Sequence, residues 1–111
     1  MVVFIVGYDA RKSTKGEVMH NQIEFRTTRG NLRLVADAYG DPMQQPVILA
    51  HGGGQTRHAW GKTAQQIAAE GFYAVAVDLR GHGESDWATD KDYAFDTFAQ
   101  DFIDIARCFQ K

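Results

Sequence analysis

From position 22 onward, apolar and polar residues alternate. Ile23 and Phe25 alternate with Glu24 and Arg26, and Leu32, Leu34, Ala36 and Ala38 alternate with Arg33, Val35, Asp37 and Tyr39. A period of two marks a strand with one buried face. Arg29-Gly30-Asn31 lies between the runs and tolerates positive φ, so the two strands are expected to form a hairpin. Gly40-Asp41-Pro42 ends the second of them. The pattern then changes. Pro46 to Ala50 and Phe72 to Val77 are continuous apolar runs, as expected of strands covered on both faces in a parallel sheet. Between them Trp60, Ala64, Ile67 and Ala68 recur at helical spacing, with Thr56 expected as the N-cap and Gly71 as the stop. Strand, helix and strand with short connections predict a βαβ unit with parallel strands and a right-handed crossover. A last helix is expected over residues 95–109. Phe95, Phe98, Phe102, Ile105 and Phe109 would face inward, and Asp96, Gln100, Asp104 and Arg107 outward.

The first residues do not share this regularity. Met1 to Val6 is apolar, and Asp9 to Glu17 is polar without a period. Residues 1–18 are therefore expected to be an N-terminal extension, with Met19 an alternative start and residues 19–111 forming one incomplete domain. The opening run is too short for a signal peptide and has no basic residue ahead of it. Nothing approaches the roughly 20 apolar residues of a membrane span.

Composition narrows the class. With 44% hydrophobic and 23% charged residues, the chain has a globular profile. A formal net charge of −2 gives no long-range attraction to nucleic acid or to an acidic membrane, so neither is expected as a partner. Cys108 is the single cysteine, which excludes an intrachain disulfide and fits a reducing, cytoplasmic location. Its neighbours on the helix are apolar, and it is expected to pack. The histidines His20, His51, His58 and His82 lack metal-ligand spacing. Gly61-Lys62-Thr63 ends like a phosphate loop, but Thr56 occupies the first glycine position. Gly52-Gly53-Gly54 lacks the third glycine of a dinucleotide fingerprint, because Arg57 stands there.

Two segments carry chemistry. His51-Gly52-Gly53-Gly54 follows a buried strand and precedes a helix. Glycine there lets another group approach the backbone, and N–H groups at a helix start suit a developing negative charge. An HGGG loop in this position is half of the oxyanion hole of α/β hydrolases. Asp78-Leu79-Arg80-Gly81-His82-Gly83-Glu84-Ser85-Asp86 follows the next strand and is similar to their D-x-R-G-x-G-x-S loop. With Trp60, these motifs make residues 22–109 resemble the α/β-hydrolase fold family. The implied fold is α/β, the N-terminal part of that sheet: a β-hairpin, a βαβ unit and a further helix, in strand order 1-2-4-3.

The resemblance also implies roles. Gly53 would donate an oxyanion-hole N–H, Gly54 and Gln55 would line the same wall, and His51 would brace the loop. Arg80 and Ser85 would hold the second loop against the first. The implied reaction is nucleophilic attack on an ester, epoxide, lactone or related small-molecule substrate, without a metal or organic cofactor. The departure is the nucleophile. Gly83-Glu84-Ser85-Asp86-Trp87 begins like a G-x-S-x-G elbow, but Trp87 replaces the closing glycine. Asp78, His82 and Ser85 could be drawn as a triad, yet they fall within one short loop. Nucleophile, acid and base are thus expected to be missing, leaving an inactive N-terminal fragment.

In the family the third strand pairs with the nucleophile-bearing fifth. Without it, that strand is expected to be an open apolar edge prone to self-association. A non-enzymatic module that self-associates or pairs with a partner through that edge is the alternative. An anion-binding domain using the glycine loop is a third reading.

Overall fold

The computed structural model describes the backbone of residues 2–5 and the whole of residues 19–51 and 55–109. Its strands are β1 (Val2–Ile5), β2 (His20–Arg26), β3 (Arg33–Tyr39), β4 (Gln45–Ala50) and β5 (Phe72–Val77). A 3-10 turn over Arg57–Trp60 and helix α1 (Gly61–Ala69) connect β4 to β5, and helix α2 (Phe95–Arg107) follows β5. The strands form one sheet in the order β1-β4-β5-β3-β2. The expected 1-2-4-3 order is present as β2-β3-β5-β4, with β1 added beyond it.

The hairpin of β2 and β3 runs antiparallel from His20 opposite Tyr39 to Arg26 opposite Arg33. Its turn holds Gly30 at φ 84° and Asn31 at φ 50°, the positive values its residue types permit. Inside it, the Thr27 N–H donates to the Leu32 carbonyl at 3.0 Å, and the Leu32 N–H donates to Thr27 Oγ1 at 2.9 Å. β4 and β5 are parallel, from Gln45 opposite Phe72 to Ala50 opposite Val77.

The sheet packs on both faces. On one, Leu34, Ala36, Ala38, Ile48, Val75 and Val77 meet Ile105 and Ala106 of α2. On the other, Val47, Leu49, Ala74 and Ala76 meet Trp60, Ala64 and Ala68. Small residues on both sides of this second contact bring α1 close to the sheet. Burial of each large aliphatic side chain contributes roughly 1.5–3 kcal/mol.

Five expectations are corrected. The third strand's edge, expected to be open, is taken by β1, which pairs antiparallel with β4 from Val2 opposite Ala50 to Ile5 opposite Val47. β3 is not half-exposed, because it is an inner strand whose Val35, Asp37 and Tyr39 lie on a second covered face. The 3-10 turn delays α1 to Gly61, and Thr56 makes no side-chain capping bond. On α2, Phe95 is 90% exposed in the first turn, while Asp101 and Asp104 are buried by polar partners outside the helix. Cys108 is exposed rather than packed, its Sγ 3.4 Å from the Asp104 carbonyl one turn back.

Candidate functional site

β4 and β5 are parallel and end together, so the residues just after them, His51 and Asp78, emerge on one rim of the sheet. In parallel α/β sheets this rim is where ligands bind. Gly53 and Gly54 lie outside the described residues, and Gln55 is exposed. The groups on either side of the glycines are described.

His51 is buried, and its Nε2 accepts a hydrogen bond from the Leu79 N–H at 3.0 Å. Its ring lies 5.0 Å, centre to centre, from that of His82. The start of the first loop is thereby tied to the start of the second. Beyond the glycines, Arg57 makes a second tie. Its backbone N–H donates to Asp78 Oδ1 at 2.6 Å, and its Nη1 donates to Asp78 Oδ2. Nη2 reaches Glu84 Oε1 at 2.7 Å, and Nε stands 3.1 Å from Asp37 Oδ2 as a charge contact without hydrogen-bond alignment. Arg57, Asp78 and Asp37 are all buried. Burial opposes the charged guanidinium, but Glu84, Asp78 and Asp37 outweigh it and hold Arg57 above its ordinary range. The planar fork of arginine suits several carboxylates at once in a way that a lysine ammonium would not.

The second loop closes on Asp78. The Glu84 N–H donates to Asp78 Oδ2 at 3.0 Å, and Ser85 Oγ donates to the Asp78 carbonyl at 2.6 Å. Ser85 Oγ also accepts the Val35 N–H at 2.8 Å. Gly83 sits at φ 49°, where a Cβ would fall 2.6 Å from Asp78 Oδ1. Only glycine fits that turn around the carboxylate.

Arg80 points elsewhere. It makes a two-pronged pair with Asp101 of α2, at 2.7 Å from Nε and 2.9 Å from Nη2. It also donates to the carbonyls of Arg29 and Asp92, at 2.9 and 3.1 Å. Hydrogen bonding to Asp101 holds its guanidinium above the ordinary range against the effect of burial. Arg80 therefore fastens the second loop to α2 and the hairpin turn, and Arg57 is the arginine facing the first loop.

Asp78, His82 and Ser85 do not form a relay. The Asp78 carboxylate serves Arg57 and the Glu84 N–H, Ser85 is buried against main-chain groups, and His82 Nδ1 lies 3.0 Å from the Arg80 carbonyl. Among the described residues no three His, Cys, Asp or Glu side chains are grouped to hold a metal. No described helix is long and apolar enough to cross a membrane.

The sequence reading missed Arg57, Asp37 and Asp101. Each left a trace: a carboxylate at Asp37 amid the apolar positions of a strand, a charge at Arg57 three residues before Trp60, and Asp101 between two inward-facing helix positions.

A model of the alpha/beta hydrolase fold matches residues 45–110, more than half of the chain. An esterase of Mycobacterium tuberculosis is 48% identical over 48 residues, which cover 43% of this chain and 15% of that protein. A non-heme chloroperoxidase of Kitasatospora aureofaciens is 34% identical over 79 residues, 71% of this chain and 28% of its own length. The chain thus spans less than a third of either relative. Among solved structures, a thioesterase domain from the curacin biosynthetic pathway superposes with a TM-score of 0.66 at 26% identity. That match covers 83% of this chain and 33% of the other.

Proposed function

The chain belongs to the alpha/beta hydrolase fold family, and on that premise we propose that it forms the oxyanion-hole half of a hydrolase site. The substrate is a small molecule with an ester, epoxide, lactone or related electrophilic centre. Gly53 donates its N–H to the oxygen on which negative charge develops as the nucleophile adds. Gly54 and Gln55 line the same wall, and His51 supports the loop from behind. The nucleophile, acid and base come from residues other than these 111, since no G-x-S-x-G elbow or Asp equivalent occurs among them.

One observation carries this reading. The residues on either side of the glycines are each tied to the second loop, His51 to the Leu79 N–H and Arg57 to Asp78. Such fixing is what an oxyanion site requires, because donors that need no reorganisation stabilise charge far better than mobile ones. In the family arrangement the nucleophile-bearing strand pairs with β4 along the edge that β1 takes, so β1 yields that edge when the site assembles.

The test is a chimera in which this chain is joined to the later part of the M. tuberculosis esterase, from the end of the matched segment onward. The chimera should hydrolyse a p-nitrophenyl ester, and Gly53→Val should lower kcat by about 100-fold or more in a protein that still folds. The chain alone should show no saturable turnover. Turnover by the chain alone that Ser85→Ala abolishes would overturn the reading, as would a folded chimera indifferent to Gly53→Val.

A further inference from the structure

We propose that β1 is a built-in guard strand, and that the β4 edge it covers is a self-complementary surface that pairs with β4 of a second copy when β1 leaves. The inference rests on sheet topology and does not depend on the hydrolase reading.

β4 has the character of an interior strand. Gln45 to Ala50 contains no charged residue, and every position but Pro46 is buried. Its side chains enter the cores on both faces, Ile48 on one and Val47 and Leu49 on the other. A flat apolar strand with neither charge nor bulge is a template for another strand.

Pro46 reveals which main-chain groups face that edge. Proline has no N–H, and β5 pairs with β4 straight past it, from Gln45 opposite Phe72 to Ala50 opposite Val77. Successive residues of a strand direct their N–H and C=O to opposite sides. Gln45, Val47 and Leu49 therefore bond to β5, while Ile48 and Ala50 turn their N–H groups to the other side. There β1 lies antiparallel, with Phe4 opposite Ile48 and Val2 opposite Ala50. Its last pair, Ile5 with Val47, falls one residue short of the proline. β1 thus covers the stretch of edge that has donors to offer and stops where they stop. At four residues it also exposes less edge than the six-residue strand it covers.

The connection makes β1 exchangeable. β1 and β2 lie at opposite margins of the sheet, four strand spacings or roughly 19 Å apart. Residues 6–18 join β1 to the segment leading into β2, and thirteen residues can span up to roughly 45 Å. A connection of that length is long enough for β1 to stay tethered near its edge at high effective concentration. Once vacant, the edge accepts an antiparallel strand, as it does from β1. A second β4, related by a twofold axis near Leu49, offers the Ile48 and Ala50 groups in matching positions, with no like charges to oppose it.

Two measurements test this. In sedimentation equilibrium the intact chain should remain at its monomer mass of 12.4 kDa. A variant beginning at Met19 should associate to about twice the mass of its own monomer, with a concentration-dependent melting temperature. A folded, monomeric Met19 variant at the same concentrations would overturn the proposal. The second measurement is amide hydrogen exchange in the 111-residue chain as a function of concentration, which tests both the cover by β1 and the pairing of the vacated edge even where the shortened variant does not fold. Ile48 and Ala50 should be protected, and Phe4→Pro, at dilutions where the variant is monomeric, should speed their exchange at least tenfold while Val47 and Leu49 stay protected; raising the concentration should restore their protection. Val3→Pro, whose N–H faces outward by the same alternation, should have little effect. Equal effects of the two prolines, or unprotected Ile48 and Ala50 in the unaltered chain, would overturn it.

Discussion

Two buried arginines, Arg80 within the second loop and Arg57 packed against it, are neutralised in different ways. Arg80 meets one carboxylate, Asp101, in a two-pronged pair, and its remaining donors go to main-chain carbonyls. Arg57 is shared among three carboxylates, Asp78 and Asp37 inside and Glu84 at the surface. The first arrangement is closed and balanced. The second sets three carboxylates around one guanidinium. The elements that each joins differ accordingly. Arg80 links loop to helix and hairpin within the scaffold, whereas Arg57, just after the first loop, links it to the second.

The contrast can be broken first at its larger member. Arg57→Met should strand Asp78 and leave Asp37 with only His20 and His58 within 4 Å among the described residues, at a cost of about 3–5 kcal/mol in denaturant unfolding. Arg80→Met should cost less, since it strands Asp101 alone. The sharper comparison is the double variant Arg80→Met with Asp101→Leu, which removes a whole pair. It should recover more than half of the single-variant loss, because replacing both members of a buried pair by apolar residues is often close to neutral. No single partner substitution should rescue Arg57→Met in that way, and a rescue by Asp78→Leu alone would show that the cluster works as a simple pair.

A smaller effect is expected where the loop meets β3. Ser85→Ala removes the donor to the Asp78 carbonyl and leaves the Val35 N–H without its acceptor, at a cost of about 1–3 kcal/mol in the same unfolding measurement. The smallest concerns acid. Burial pushes the Asp104 carboxyl up, but the Thr28 N–H, Gln100 and the Thr28 hydroxyl outweigh it and hold it below its usual 3.8. A folded-state value below the unfolded one contributes stability that is present above 3.8 and is lost as pH falls through the depressed value. Asp104→Asn should flatten that acid limb by under about 1 kcal/mol in stability measured between about pH 6 and 2.

Legibility in the sequence followed how local each cause was. The hairpin was readable because Gly30 and Asn31 adopt positive φ for reasons internal to the turn, and alternation on either side sets its register. The parallel pair was readable because continuous apolar runs suit strands covered on both faces. The inward face of α2 was misread at its first turn. Phe95 is an apolar residue at the right spacing, but the helix begins there beyond the sheet, while Asp104 is drawn in by Thr28, 76 positions earlier. Periodicity records what a residue is, and cannot record a polar partner so distant in the chain. The site divides in the same way. The two loops announced themselves by motif, but the residues that lock them together did not.

By itself the sequence determined the alternating hairpin and the βαβ pattern, because each depends on residue types at short spacing, and its two loop motifs carried the resemblance to the alpha/beta hydrolase fold that implied the strand order. Only the tertiary structure decided that Arg57 rather than Arg80 ties the first loop to the second, since the choice rests on which carboxylates the fold brings within reach of each guanidinium. It also decided that β1 lies along β4. Backbone pairing depends on N–H and C=O groups that every residue but proline carries, so four apolar residues at the start of a chain do not specify which edge they will join.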